Sequence, residues 1–80
     1  MYYVYIIKSE INGSLYKGLS INPARRIKEH NSGKTKSTRP YRPWKIVLIE
    51  EFENLVEARN REKYLKSGTG REYLKSILDP

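Results

Sequence analysis

Residues Tyr2 to Lys8, Tyr-Tyr-Val-Tyr-Ile-Ile-Lys, carry β-branched or aromatic side chains at odd and even positions alike. A strand with one face in water would alternate apolar and polar residues, so this run predicts a central strand covered on both sides. Asn12-Gly13 then supplies a hairpin turn, and a second strand is expected over about Ser14 to Leu19. If the turn is the two-residue kind, Tyr5 and Tyr16 point to one face but stand roughly 13 Å apart along the strands. A looser turn of the same parity brings them closer.

Asn22-Pro23 reads as an N-cap followed by proline in the first helical position, so a helix should run to about Asn31 and stop near Gly33. On it Ala24 and Ile27 form the expected inward stripe. Arg26 and His30, four residues apart, share a flank beside that stripe and can point together into a groove next to the sheet. From Ser32 to Pro43 the chain reads as an irregular basic loop holding Tyr41, and Trp44 to Phe52 as a third strand. Asn54 with Glu57 makes a capping pair for a helix over Leu55 to Ser67, ended by Gly68-Thr69-Gly70. Its predicted inward face is Leu55, Ala58 and Leu65, with Glu62 among them. A last amphipathic helix, with Tyr73, Leu74, Ile77 and Leu78 as its apolar positions, is expected to pack across the sheet.

Residues 1–80 are the length of one small domain, and no internal repeat or linker interrupts them. No cysteine is present, which excludes disulfides and thiolate metal sites, and a single histidine argues against a histidine-cluster site. The longest apolar runs, such as Ile46-Val47-Leu48-Ile49, are too short to cross a bilayer, and a cytoplasmic location is the default expectation. Sixteen Lys and Arg against nine acids give a net charge of +7, which favours a polyanionic partner, nucleic acid before an acidic membrane surface. Half of the positive charge lies between Pro23 and Lys45: Arg25, Arg26, Lys28, Lys34, Lys36, Arg39, Arg42 and Lys45, against Glu29 alone.

Phosphodiester cleavage needs a group that takes a proton from water, positive charge on the phosphate, and a carboxylate for a divalent metal. A phenol titrates near pH ~10, so a tyrosine acting as the base needs its proton loosened by a nearby metal or by Arg26. The planar fork of Arg26 suits a phosphate, and His30 can assist proton transfer or hold phosphate or water. Glu62 is the most telling position, because a carboxylate on a core-facing helix face is costly unless paired. It is expected either to hold a hard cation such as Mg²⁺, which commonly takes one or two protein carboxylates, or to form a buried salt bridge with Arg26 or Arg59.

Taken in order, Val4-Tyr5-Ile6, Tyr16-Lys17-Gly18, the helix Ala24 to Asn31 and the segment Glu57 to Lys63 resemble the GIY-YIG nuclease family. The resemblance spans roughly Tyr2 to Leu78 and is nearest to the short single-domain bacterial members, similar to the nuclease module of the excinuclease C subunit. Val4 stands where the family name has glycine, Lys17 where it has isoleucine, and Leu19 lies in the region where many members carry a lysine. The resemblance implies an α+β fold, a three-stranded antiparallel sheet flanked by about three helices, and hydrolysis of nucleic acid, DNA before RNA, with one Mg²⁺ or Mn²⁺. Carried over by position, it implies Tyr16 as general base, Tyr5 orienting the reacting groups, Arg26 on the phosphate, His30 supporting proton or phosphate handling, and Glu62 on the metal. Lys17, Arg25, Lys28, Lys34, Lys36, Arg39 and Arg42 are the expected nucleic-acid contacts. So small a chain leaves little room for base reading, so specificity would come from substrate shape, a homodimer or a protein partner, possibilities that also fit a DNA-repair role. Two other classes compete: a non-catalytic basic nucleic-acid-binding module on the same fold, and a domain that docks an acidic protein.

Overall fold

The computed structural model describes residues 1–78. Its central strand β1 (Tyr2–Ser9) pairs antiparallel with β2 (Leu15–Ser20) on one edge and β3 (Trp44–Phe52) on the other, giving the order β2-β1-β3. The double-sided apolar pattern of β1 is used as expected. Tyr5 and Ile7 on one face pack with Trp44, Tyr16, Ile46 and Ile27 of helix α1 (Pro23–Ser32). Val4 and Ile6 on the other pack with Ala58 and Leu65 of α2 (Leu55–Lys66) and Leu74 of α3 (Gly68–Leu78). Burying each such aliphatic or aromatic side chain contributes about 1.5–3 kcal/mol relative to exposure.

The hairpin register differs from the one implied by a two-residue Asn-Gly turn. Tyr5 faces Gly18 and Ile7 faces Tyr16, a slip of two residues that keeps the parity. The turn is four residues, Glu10 to Gly13, because Ser9 organises it. The Ser9 N–H donates to the Ser14 carbonyl (2.8 Å) and the Ser9 hydroxyl oxygen accepts from the backbone of Ile11 (3.1 Å) and Asn12 (3.3 Å). Gly13 closes the turn at φ 77°, a conformation that glycine tolerates best. A slip of one residue would have moved Tyr16 to the other face; a slip of two brings it next to Tyr5.

Helix α1 begins and ends as its sequence predicts. The Asn22 side chain accepts from Arg25 N–H (3.1 Å), Pro23 occupies the first turn, and Gly33 terminates the helix at φ 86°. Its inward face, however, centres on Ile27 and His30, and Ala24 is exposed. With about 3.6 residues per turn, Ala24 lies about a quarter-turn from the middle of that face.

The expected break at Gly68-Thr69-Gly70 is instead the first turn of α3. Ser67, extended at ψ 167°, separates the two helices, and its hydroxyl accepts from Gly70 N–H at 3.1 Å, an N-cap in place of a loop. Gly70 is required by close approach: a Cβ there would stand 2.6 Å from Leu65 Cα and nearer still to the Tyr64 carbonyl. Backbone cannot swing aside as a side chain can, so Gly70→Ala is expected to cost about 3 kcal/mol, read as a lower midpoint in denaturant unfolding. Beyond this turn α3 seats Leu74 fully and Tyr73 and Leu78 partly, while Ile77 is exposed rather than inward. Arg61 braces the same side, forking onto Glu50 of β3 (2.7 and 3.0 Å) and lying over the Tyr64 and Tyr73 rings. No helix among the described residues is long and apolar enough to cross a membrane.

Candidate active site

Three rings from three elements meet on the α1 face of the sheet. The Tyr5 and Tyr16 ring centroids are 6.4 Å apart, Tyr5 and His30 6.0 Å, and Tyr16 and His30 4.8 Å in an edge-on arrangement. The Tyr5 hydroxyl lies 3.1 Å from His30 Nε2, and His30 Nδ1 lies 2.9 Å from the Thr38 hydroxyl. Gly18 makes room for this arrangement. It sits opposite Tyr5 on the edge strand, and a Cβ there would fall 2.7 Å from Tyr5 Cε1 and closer to the ring's hydroxyl end.

Tyr5 and His30 are both fully buried, whereas Tyr16 is half-buried. Burial raises the Tyr5 phenol above its ordinary value; a hydrogen bond and charge from Arg26 oppose the rise, and the charges of Tyr16 and Glu62 add to it. Tyr5 therefore keeps its proton at neutral pH. Its hydroxyl is hydrogen-bonded to His30 with Arg26 close by, while the Tyr16 hydroxyl, without a hydrogen-bond partner among the described residues, is not sealed from solvent.

Burial also holds the His30 imidazole below its ordinary value, with the Arg26 charge lowering it further and Glu29 opposing. The unfolded chain thus binds a proton that the folded chain resists, so stability present above the unfolded value of about 6.5 drains away as the pH falls toward the folded value. Melting curves are expected to show a lower Tm at pH 5.5 than at pH 7.5, with the loss in this window reduced in His30→Gln. The Arg26 guanidinium is partly exposed, pairs with Glu29 one turn along α1, and lies against Tyr5.

Glu62 stands on α2, the helix packed against the opposite face of the sheet, and its charge is felt at Tyr5. It is not the buried ion pair with Arg26 or Arg59 that its helix face suggested. Its side chain is 22% exposed and its carboxylate pairs with Lys66, at 3.5 Å, in a contact open to solvent. A partly buried place on α2 beside the fully buried Ala58 and Leu65 explains both the apolar neighbours and the access to water. Glu62 also lines a shallow pocket with Val56, Arg59, Asn60 and Lys63.

Around this cluster the basic residues of α1 and the following loop divide into two kinds. Arg25, Lys28 and Lys34 border a broad surface depression with Glu29, Ser32 and Gly33, and Lys36 is exposed. Arg39 and Arg42 use their Nε donors on the Gly33 carbonyl (2.7 Å) and the Arg39 carbonyl (3.0 Å), so both also shape the loop. Residues Arg39–Tyr41 form one 3₁₀ turn within what the sequence presented as irregular chain. Lys17 lies opposite Tyr16, as expected, but that side of β2 faces Lys66 and Arg71 of the second helical layer.

Residues 1–75 match the family model described as the GIY-YIG catalytic domain. The chain belongs to the GIY-YIG family. A UPF0213 protein of Clostridium perfringens is 46% identical over 96% of this chain and 83% of its own length, and one of Staphylococcus haemolyticus is 42% identical over 95% and 93%. The UPF0213 protein of Bacillus halodurans, solved by solution NMR, superposes with a TM-score of 0.58 at 38% identity, covering 96% of this chain and 85% of that one. The GIY-YIG domain is a nuclease-type catalytic domain, and its α+β architecture of three antiparallel strands and three helices is that of the solved UPF0213 relative.

Within this GIY-YIG chain, the residues absent from the sequence reading are those that hold His30. Thr38 is buried and bonds the imidazole, and its carbonyl accepts from the Trp44 indole (2.8 Å). Asn31 clasps the start of β3 through both the carbonyl (3.0 Å) and the N–H (2.6 Å) of Trp44. No periodicity marks Thr38, which sits in a loop; the tryptophan at the strand start was the sole available hint.

Proposed function

We propose that this GIY-YIG domain is a metal-dependent endonuclease that hydrolyses nucleic-acid phosphodiester bonds, DNA before RNA, with low sequence specificity. The observation that carries this reading is the split between the two tyrosines: one buried and spent on His30 and Arg26, the other beside it with an open hydroxyl. Tyr16 is then the group that draws a proton from the attacking water. Tyr5, held by His30, keeps Arg26 and Tyr16 in place, and Arg26 exchanges part of its contact with the partly exposed Glu29 for a phosphate oxygen. A guanidinium can grip two such oxygens at once, where developing charge most needs it. His30, neutral and buried, serves best as a fixed hydrogen-bond acceptor or donor to Tyr5 and as a brake on its motion.

Glu62 is the carboxylate we assign to a hard divalent cation. Among the described residues no three His, Cys, Asp or Glu side chains gather, so Mg²⁺ or Mn²⁺ would rest on this single carboxylate, with water and phosphate oxygens completing its shell. Such an ion would polarise the phosphate and neutralise charge on the leaving oxygen. Lys66 already offers Glu62 a weak, exposed partner that a doubly charged ion outcompetes. The basic surface of α1 and the loop, with Arg25, Lys28, Lys34, Lys36, Arg39 and Arg42, supplies sequence-independent grip on the backbone.

Purified protein is expected to nick or cut labelled DNA when Mg²⁺ or Mn²⁺ is added and to leave it intact in chelator. A preparation that binds duplex, flap, fork and single-stranded DNA and RNA but cuts none of them would instead identify a non-catalytic binding module on the same fold.

A further inference from the structure

A second basic feature lies on the other face of the sheet, away from α1. Lys8 and Leu15 are cross-strand partners on the α2–α3 side of the β1–β2 hairpin, and Lys17 follows two residues later on that side. Between this hairpin and α3 is a pocket of about 230 Å³ lined by Lys8, Gly13, Leu15, Arg71, Leu74, Lys75 and Leu78. Three leucines floor it, three cations rim it, and no acid is among the described lining residues. Lys17 stands near Arg71 and Lys66, whose charges, after its own burial, lower its proton affinity. Like charges gathered this way repel one another and are relieved by an anion.

The cluster is continuous with the candidate site. Lys66 contacts Glu62 at 3.5 Å, the charges of Lys66 and Arg71 both act on Lys17, and Arg71 lines the pocket, so neighbouring cations link Glu62 to the pocket. Phosphate alone would be served by an open basic surface such as that of α1. A concave apolar floor inside a cationic rim suits a base together with its phosphates, as in single-strand binding sites where the base rests on apolar surface and the backbone on cations. A base within a duplex is stacked and paired and cannot enter such a pocket.

We propose that this pocket, with Lys17 and Lys66 leading into it, seats one unpaired nucleotide of the strand flanking the scissile phosphate. The inference rests on the nuclease reading for the direction of the strand. It makes the preferred substrate a nucleic acid with a single-stranded tail or flap beside the cut, and not an uninterrupted duplex.

The test is binding in chelator, measured by fluorescence anisotropy on a blunt duplex and on the same duplex carrying a short single-stranded tail at either end. Arg71→Gln combined with Lys75→Gln is the variant, since both side chains are exposed and their loss should leave the melting curve unchanged. The wild-type protein should prefer the tailed duplex, and the double variant should lose about tenfold in affinity for it. Its salt slope on the tailed duplex should fall by about 2, and its affinity for the blunt duplex should change much less. Equal loss on both substrates would reduce these residues to general charge, and no wild-type preference for the tail would overturn the pocket's role. Each single variant serves the same comparison should the double variant melt early. Because no metal or cutting is involved, a protein that cleaves nothing can still pass this test, and an active nuclease can still fail it.

Discussion

Glu62→Gln is expected to lower metal-dependent cleavage by about 10³-fold or more while leaving the protein folded and able to bind nucleic acid. The substitution keeps the shape of the side chain and removes the charge that a divalent cation needs. Its structural cost is small, because among the described residues the ion pair it breaks is the solvent-open contact with Lys66, and such pairs are worth at most about 1 kcal/mol. Net charge rises from +7 to +8 on loss of one carboxylate, so binding to nucleic acid at low salt should hold or tighten. Loss of cutting with retained binding separates a role in the reaction from a role in folding. Cutting that survives in Glu62→Gln at the wild-type rate would remove Glu62 from the site. Arg26→Lys is the companion variant: it keeps the positive charge, gives up the planar fork, and should recover less activity than its charge alone would suggest.

What the sequence could reveal here follows from the range over which each signal acts. The two-faced apolar run of β1, the Asn22-Pro23 start and the Gly33 stop depend on residues within a turn or two of one another, and the structure bears them out. The four-residue spacing of Arg26 and His30 does bring both to Tyr5, but His30 is a fully buried member of the inward face of α1 and not part of a flank beside it. The distance between Tyr5 and Tyr16 depends instead on how the chain turns, and the Ser9 hydroxyl, by capturing two loop N–H groups, moves the pairing by two residues. Gly68-Thr69-Gly70 looked like a break because glycine disfavours helix. Ser67 capping and the close approach of Gly70 to α2 outweigh that preference, and both belong to the packing of α3 rather than to the local chain. Glu62 was placed on the correct face but drawn too deep. A residue at the margin of a helix's inward side is only partly covered, and periodicity does not report how far the neighbouring elements extend over it.

Gly18→Ala is expected to be the most damaging single methyl at the site. The added Cβ would overlap the hydroxyl end of the Tyr5 ring, a side chain that is fully buried and tied to His30. Tyr5 cannot retreat without breaking that hydrogen bond, and β2 cannot retreat without giving up its pairing with β1. Either adjustment is a core overpacking, costing about 2–3 kcal/mol, and the first leaves the buried His30 Nε2 without its partner. Because the Tyr5 hydroxyl also touches Arg26, displacement of the ring should carry into cleavage beyond what instability explains. Activity assayed well below the melting temperature should therefore fall by about 10²-fold or more. The decisive comparison is the double variant Gly18→Ala with Tyr5→Leu, in which the ring atoms and hydroxyl that collide are gone. If the clash acts through that ring, the combined loss of stability will be less than the sum of the two single losses, because neighbours that share a contact do not add. Strict additivity would mean that the methyl disturbs the strand pairing instead, and that Tyr5 keeps its place whatever stands at position 18.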